Sequence, residues 1–584
     1  MRNALFTLQS CPKRYTFDQD KSCSPTETVA RFQRRLQATG LDVLKEIRRI
    51  DTGRLGIPVY FSVCGEDARE LIGKKQQMGK GATPEQAQAS ACMELAERFS
   101  FFSFLKEPGN FLIGDYAALE AGHPVLPVEE LLRSVNDQSL GPDRLRELLS
   151  GIPLRWTMAR RLSDNQPVLV PLSWFYTINE FNGASAGNTP EEAVLQGVCE
   201  VVERHVCARI THERLRPPQI DQDSITDPVA CELLTKFRNN GIEVVLSDFS
   251  LDMGIPTVAV LAWDPATWPQ ASEIVYTAGT TPGAAKAVIR ALTEAAQLGG
   301  DFNTGSCYLA SGLPKPRTLD EVDHIRNSGH LIRLADMTDL VDADIFQELM
   351  ACTQALHQRN MDVLTINTTH PRLGIPAAYT IIAGAQFRER ARSGNAGLFA
   401  ARLAADLLTG PALTDKLTQM ERLVPGAYYL PFYRGRILYE QGEATEALHC
   451  FEEALSRGPN DEDLPSLHSY QGACLRDLAR YDEAIAALHA GLAVDADRSD
   501  LHNALGVCFF KTGRHEEAVH HFQHAVALNP SSAIDHANLA LNLEHTGRPE
   551  EAVQAYEVAL SLDPDITFAA QRLATLRAAS AGDR

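Results

Sequence analysis

Four times in about the last 160 residues, the sequence sets a small residue, an alanine, a bulky apolar residue and a second small residue in the same order. No other feature limits the fold as tightly. The units read Gly435, Ala447, Phe451, Ala454, Pro459; then Gly472, Ala484, Leu488, Gly491; then Gly506, Ala518, Phe522, Ala525, Pro530; then Ala540, Ala552, Tyr556, Ala559, Pro564. Their leading residues lie 37, 34 and 34 positions apart. That period suits two antiparallel helices: the small residues let them approach, the bulky residue fills the gap between them, and proline ends the unit. A solenoid also needs a polar last face, and the stretch from Arg572 to Ala579 suits a capping helix.

The pattern resembles the tetratricopeptide repeat, which implies a surface that binds proteins or peptides. It divides the chain into residues 1–410, a linker at 411–427, four repeats at 428–564, and a capping helix with its tail at 565–584. The linker reading rests on ThrGlyProAlaLeuThrAsp (409–415) and on Pro425 and Gly426. Residues 1–410 alternate helical stretches with β-rich runs such as ValLeuValProLeu (168–172), IleGluValValLeu (242–246) and GluIleValTyrThr (273–277). The expected fold class is therefore an α/β (α+β) domain followed by an all-α solenoid.

Fifty-five basic residues against 75 acidic ones leave a net charge of −20, which gives no overall footprint for nucleic acid or an anionic membrane. A nucleotide would need a local site. The opening MRNALFTLQSCPKR has only a short apolar stretch, and no apolar run approaches the ~18 residues of a spanning helix, so neither export nor membrane insertion is expected. Twelve cysteines without a Cys-x-x-Cys pair fit a reducing cytoplasm better than a disulfide framework.

A second repeat lies in the first 300 residues. GlyAlaThrProGluGlnAla (81–87) leads to Glu94, Glu97 and Arg98, and GlyAsnThrProGluGluAla (187–193) leads to Glu200, Glu203 and Arg204. In both, the first glutamate stands 11 positions after the threonine. Thr83 and Thr189 are N-caps, Pro84 and Pro190 open the helices, and Gln86 and Glu192 close capping boxes. A third stretch, ThrThrProGlyAla (280–284), runs through Lys286 and Arg290 to Glu294 and Gln297, with two extra residues before its acidic position. Glutamates three apart share a helix face and usually face solvent. Around Glu200 and Glu203, however, Val194, Leu195, Val198, Cys199, Val201, Val202, Val206, Cys207 and Ile210 leave little polar circumference, so this helix should be buried nearly all round. Buried carboxylates require cations. Arg98, Arg204 and Arg290 supply some, and clustered hard oxygens suit Mg²⁺ with nucleotide phosphates for the rest.

AsnGlyAlaSerAlaGlyAsnThrProGluGluAla (182–193) with GluValValGluArg (200–204), GlyLysGlyAlaThr (79–83) with Ser90, Glu94 and Glu97, and ArgAlaLeuThrGluAlaAlaGln (290–297) resemble the YcaO superfamily. Its members use ATP and Mg²⁺ to phosphorylate a backbone amide oxygen. The resemblance covers about residues 20–410 and includes Lys21 and Thr28 in an amino-terminal nucleotide-contacting element. It implies that Glu94, Glu97, Glu200, Glu203 and Glu294 surround Mg²⁺ and the phosphates. Lys21, Thr28, Ser90, Asn188, Glu192, Arg204, Arg290 and Gln297 would contact nucleotide or order the shell. Glu200, Glu203, Arg204 and Arg290 would act on the moving phosphoryl group. The implied partners are a peptide or protein substrate, a ribosomal protein among them, and a protein held by the repeats; a homodimer is compatible with this. Azoline-forming members end in Pro-x-Pro-x-Pro whereas this chain ends AlaAlaSerAlaGlyAspArg, so the expectation turns to peptide thioamidation or to an accessory role in methylthiolation of a small-subunit ribosomal protein, with preference for the latter. A catalytically idle scaffold, whose ATP site regulates assembly, is the alternative of a different class.

Other motifs fail on their mechanics. A P-loop needs glycine at position 74 or Ser/Thr after Lys80, and the chain has Lys74 and Gly81. Gly183-Ala-Ser185-Ala-Gly187 matches the hydrolase elbow by letter, but the helix expected there starts four residues after the serine instead of at it. His520 and His524, with His515 and His521 nearby, have zinc-capable spacing but lack carboxylate or thiolate partners and read as packing or solvated histidines. Cys92, Cys199 and Cys207 read as small buried hydrophobes.

Overall fold

The computed structural model describes residues 4–73, 77–305, 308, 312–387, 394–530 and 532–582, and the chain divides into two compact units, 1–399 and 400–584. Lys74 of the P-loop comparison and the last two residues of the tail lie outside the described residues. Among the described residues, no helix is long and apolar enough to cross a membrane.

Among the described residues, the first unit contains three sheets, and each contributes one edge strand to the same device. Strand β1 (Gln77–Lys80) closes a three-stranded antiparallel sheet beside Val59–Cys64 and leads into helix α1 (Pro84–Lys106). Strand β2 (Ala184–Ala186) lies at the edge of a six-stranded sheet, paired antiparallel with Ala377–Ile382, and leads into α2 (Pro190–Glu213). Strand β3 (Val275–Thr280) ends a five-stranded sheet beside Thr257–Trp263 and leads into α3 (Ala284–Gly299). Among the described residues, pairing between strands is antiparallel except for Leu331–Ile332 beside Gln219–Ile220, with a further parallel bridge between Val125 and Leu169, so the mixed α/β expectation resolves toward α+β.

Each helix lies against its own strand at one register. An ideal Cβ on Gly79 would stand 2.1 Å from the Ala91 nitrogen and 2.2 Å from the Ala87 oxygen, so only glycine lets β1 approach α1 this closely. At the matching position of β2, the Ser185 hydroxyl donates to the Ala193 carbonyl at 2.7 Å. In β3, a Cβ on Gly279 would meet the Ala291 nitrogen at 2.8 Å. Helix α2 is buried around most of its circumference, as its composition implies, including Glu191, Glu192 and Glu203. Ser185 is wholly buried with its hydroxyl engaged, so it is not the exposed nucleophile that a hydrolase elbow presents.

The second unit is helical, and its repeat chemistry is visible atom by atom. Gly435 lies under Phe451, Gly472 under Leu488 and Gly506 under Phe522, with ideal Cβ positions 2.8, 2.6 and 2.7 Å from those side chains. Ala540 and Tyr556 are both fully buried in the fourth pair. A last helix, Thr567–Gly582, follows the fourth repeat. The stretch read as linker, 411–427, differs from expectation: it is helical from Gly410 to Leu423. Pro411 stands in the first turn, where its missing N–H costs nothing, so Gly-Pro opens a helix here instead of interrupting one.

The histidines pack together. The His520 and His524 rings are 4.6 Å apart, His524 stacks on His502 at 5.0 Å, and His521 lies on Phe509 at 5.3 Å with a 12° tilt. Among the described residues, no three His, Cys, Asp or Glu side chains are grouped to hold a metal ion, here or elsewhere. Burial and the neighbouring imidazoles hold His521 down to about 3, so it is neutral in the folded chain, whereas an unfolded histidine titrates near 6.5. The folded state therefore binds fewer protons, and stability is lost as pH falls below about 6.5, by roughly 2 kcal/mol at pH 5. Thermal unfolding between pH 7.5 and 5 should show this loss, and His521→Leu should reduce it; an unchanged pH slope in the variant would exclude His521 as the cause.

Candidate functional site

The three helices turn their acidic positions into one cavity of about 260 Å³. All thirteen residues expected there line it: Lys21, Thr28, Ser90, Glu94, Glu97, Asn188, Glu192, Glu200, Glu203, Arg204, Arg290, Glu294 and Gln297. The helix starts explain the convergence. Thr83 and Thr189 are N-caps whose hydroxyls accept from the Gln86 and Glu192 backbone N–H groups at 3.2 and 3.3 Å. The third helix is capped by Gly283 instead of a threonine, so all three have 11 residues from cap to first glutamate, and the two extra residues expected from sequence disappear. Glu94, Glu200 and Glu294 are therefore equivalent positions, as are Glu97, Glu203 and Gln297.

Glu94, Glu97, Glu200, Glu203 and Glu294 each meet a cation. Arg98 lies 3.4 Å from Glu97 and 4.0 Å from Glu94, and Arg204 lies 3.9 Å from Glu200. Arg290 stands 3.8 Å from Glu203, which also accepts from the Thr280 N–H at 3.2 Å and so ties α2 to the end of β3. Lys80, at the end of β1, is paired with Glu294. Burial pushes the Glu200 carboxyl upward and that of Glu97 well upward, with nearby carboxylates adding to the rise and the arginines opposing it. Burial, reinforced by Arg290, brings the Lys80 ammonium down to about 7. The Arg98 guanidinium is further held by the Phe181 ring, 4.3 Å from its centroid.

Three of the expected residues have partners outside the acidic pairs. Glu192 accepts from the Ser22 N–H at 2.5 Å, the Asn188 N–H at 2.9 Å and the Asn188 amide at 3.0 Å, so it fastens the amino-terminal segment to the loop before α2. Its capping bond goes to the residue before the N-cap, not to the N-cap of a standard capping box. The Thr28 hydroxyl donates to the Ser24 carbonyl at 3.0 Å. Gln297 donates toward the Met78 sulfur at 3.8 Å. Sequence reasoning missed Lys80 and Gln196 among the lining residues. Cys92 and Cys199 are buried, with thiols pushed up to about 12, as expected of packing cysteines.

The donor set fits a magnesium nucleotide. Clustered carboxylate oxygens are hard ligands, and cationic side chains beside them match phosphate oxygens. The carboxylates are now paired with side-chain cations, and bringing three of them onto one ion requires rotation of glutamate side chains.

Comparison with known proteins places the chain in a family. The family described as YcaO cyclodehydratase, ATP- and Mg²⁺-binding, matches residues 78–386, and the tetratricopeptide repeat matches 400–564. An uncharacterised protein of Methanothermobacter thermautotrophicus is 31% identical over 389 residues, covering 62% of this chain and 93% of that protein. The ribosomal protein S12 methylthiotransferase accessory factor YcaO of Escherichia coli is 27% identical over 355 residues, 57% of each chain. Among solved structures, a heterocyclase in complex with substrate and cofactor superposes with a TM-score of 0.54 at 24% identity, covering 67% of this chain and 56% of that one. YcaO from Methanopyrus kandleri bound with AMPPCP and Mg²⁺ gives 0.50 at 22% identity, covering 66% and 98%. These two likenesses concern the fold. With the family match spanning more than half its length, the chain belongs to the YcaO family, whose cofactors are ATP and Mg²⁺, and carries a tetratricopeptide-repeat segment after that domain.

Proposed function

We propose that this chain uses Mg²⁺ and ATP to phosphorylate a backbone amide oxygen of a peptide or protein, with the repeats recruiting a protein partner or the substrate. The observation that carries this reading is the convergence of acidic positions from three separate strand–helix units in one cavity, each beside a cation. ATP supplies the phosphoryl group, and Mg²⁺ neutralises its charge when held by Glu94, Glu97, Glu200, Glu203 and Glu294. Arg204 and Arg290 stabilise charge on the phosphoryl oxygens, while Lys21, Thr28, Ser90, Asn188, Glu192 and Gln297 position the nucleotide or order the residues around it. The amide oxygen bonds to the γ-phosphorus as the bond to the bridging oxygen breaks and ADP leaves. A nucleophile then adds at the activated carbon, and phosphate departs with the former amide oxygen.

A second reading, an accessory role in ribosomal-protein methylthiolation, is favoured by the name of the Escherichia coli relative, although the chain spans only 57% of that protein. Phosphate release from ATP by the full chain, with and without candidate peptides, tests the enzymatic reading. Release stimulated by peptide, and at least ~10-fold lower in Arg290→Ala, is the expected result. Nucleotide binding with no release under any peptide, beside undiminished partner capture, would favour the idle scaffold.

A further inference from the structure

We propose that Lys80 contacts the transferred phosphoryl group and is a catalytic residue of this cavity; the inference rests on the magnesium-nucleotide reading above. The three strand–helix units provide an internal comparison. In the first two, an arginine follows the first glutamate by four residues: Arg98 after Glu94 and Arg204 after Glu200. In the third, the matching position after Glu294 is Leu298, so the helix carries no cation of its own there. Lys80 fills that role from another unit, reaching from the end of β1 to Glu294.

The backbone around Lys80 is built for that reach. Gly79 is pressed on the α1 backbone, and a Cβ on Gly81 would stand 2.6 Å from the Gln86 side chain. The strand therefore turns closely at the cavity wall, with Lys80 as the long side chain between two glycines. At the matching positions, the other units have Ala186 and Thr280, neither of which can reach across. Lys80 lines the same cavity as Glu94, Glu203, Arg204 and Arg290, drawn from all three helices.

Its attachment differs from that of the arginines. Arg98 is held by an aromatic ring as well as by carboxylates, and Arg290 also donates to Gln196 at 3.3 Å. Among the described residues, the close partner of the Lys80 ammonium is Glu294. A divalent ion taking over the Glu294 oxygens would release the ammonium, and its flexible stem and three N–H donors suit an adjacent phosphate oxygen. During transfer the ammonium keeps its proton and donates hydrogen bonds to the γ-phosphoryl oxygens. The electron pair of the breaking P–O bond leaves with ADP, and the new bond forms at the amide oxygen.

The test is calorimetric titration of the full chain with ATP and ADP, each with Mg²⁺, in wild type, Lys80→Met and Lys80→Arg, with thermal unfolding to confirm that each variant is folded. Losing a charged hydrogen bond to the terminal phosphate should weaken ATP at least ~10-fold in Lys80→Met while ADP changes less than ~3-fold, and Lys80→Arg should recover most of the loss. Equal weakening of ATP and ADP would mean that Lys80 only neutralises Glu294, and unchanged ATP affinity would remove it from the site; either result overturns the proposal. Wild type that binds neither nucleotide would instead overturn the reading on which it rests. Should Lys80→Met fail to fold, Lys80→Gln, which keeps a long polar side chain, gives the same comparison.

Discussion

Glu200→Ala/Glu203→Ala should lower affinity for magnesium ATP at least ~100-fold, on the order of 3 kcal/mol, while the chain stays folded. The pair is singled out by its position in the cavity. Glu200 faces Arg204, whereas Glu203 is buried, lies beside Arg290 and accepts the Thr280 N–H. Removing both takes two hard oxygen donors from the cavity and leaves two arginines without their carboxylates, so the electrostatic match to a nucleotide carrying its own metal is lost on both sides. The Thr280 bond also has a structural role, so the double alanine variant should be compared with Glu200→Gln/Glu203→Gln. The amides keep the shape and an acceptor for that N–H but provide no negative charge. Calorimetric titration, with thermal unfolding as the folding check, separates the outcomes. Both variants should lose binding if charge is what matters, and wild-type affinity in either would remove α2 from the nucleotide site.

The acidic site was legible because its signals are local. ThrProGlu starts, glutamates three apart and an apolar surround specify buried helices before any long-range pairing is known, and all thirteen expected residues line one cavity. The third helix was read two residues out of register because the Thr281 hydroxyl donates to the Gly283 carbonyl at 2.7 Å and leaves the capping position to a glycine. Gly410 and Pro411 were read as linker although proline in a first turn also starts helices. The strands were harder to see: β2 has three residues, and its partners Ala377, Ala378 and Tyr379 lie nearly 200 positions away. Lys80 escaped for the same reason. Local spacing rejects a P-loop at that lysine, while its actual partner, Glu294, belongs to another strand–helix unit and only the assembled sheets bring it near.

Gly79→Ala should be more damaging than the same change at Gly279 or Gly122, because the obstruction is backbone and the backbone belongs to the helix that carries Glu94 and Glu97. The new Cβ would stand 2.1 Å from the Ala91 nitrogen and 2.2 Å from the Ala87 oxygen, and neither can move without α1. Overpacking of this kind costs about 1–3 kcal/mol and sometimes more. Gly279→Ala, where the nearest backbone atoms are 2.8 and 3.0 Å away, should cost less, and Gly122→Ala, with nothing within 4 Å, should be close to neutral. The functional effect should exceed the loss of stability. A shift of about 1 Å at a positioned group can reduce a rate ~100-fold, and any shift of α1 moves its acidic pair relative to those of α2 and α3. Thermal unfolding and magnesium-ATP titration across the three variants should therefore rank them Gly79, Gly279, Gly122 in severity. A Gly79→Ala chain with wild-type unfolding and wild-type ATP affinity would show that the close approach of β1 to α1 does not set the geometry of the site.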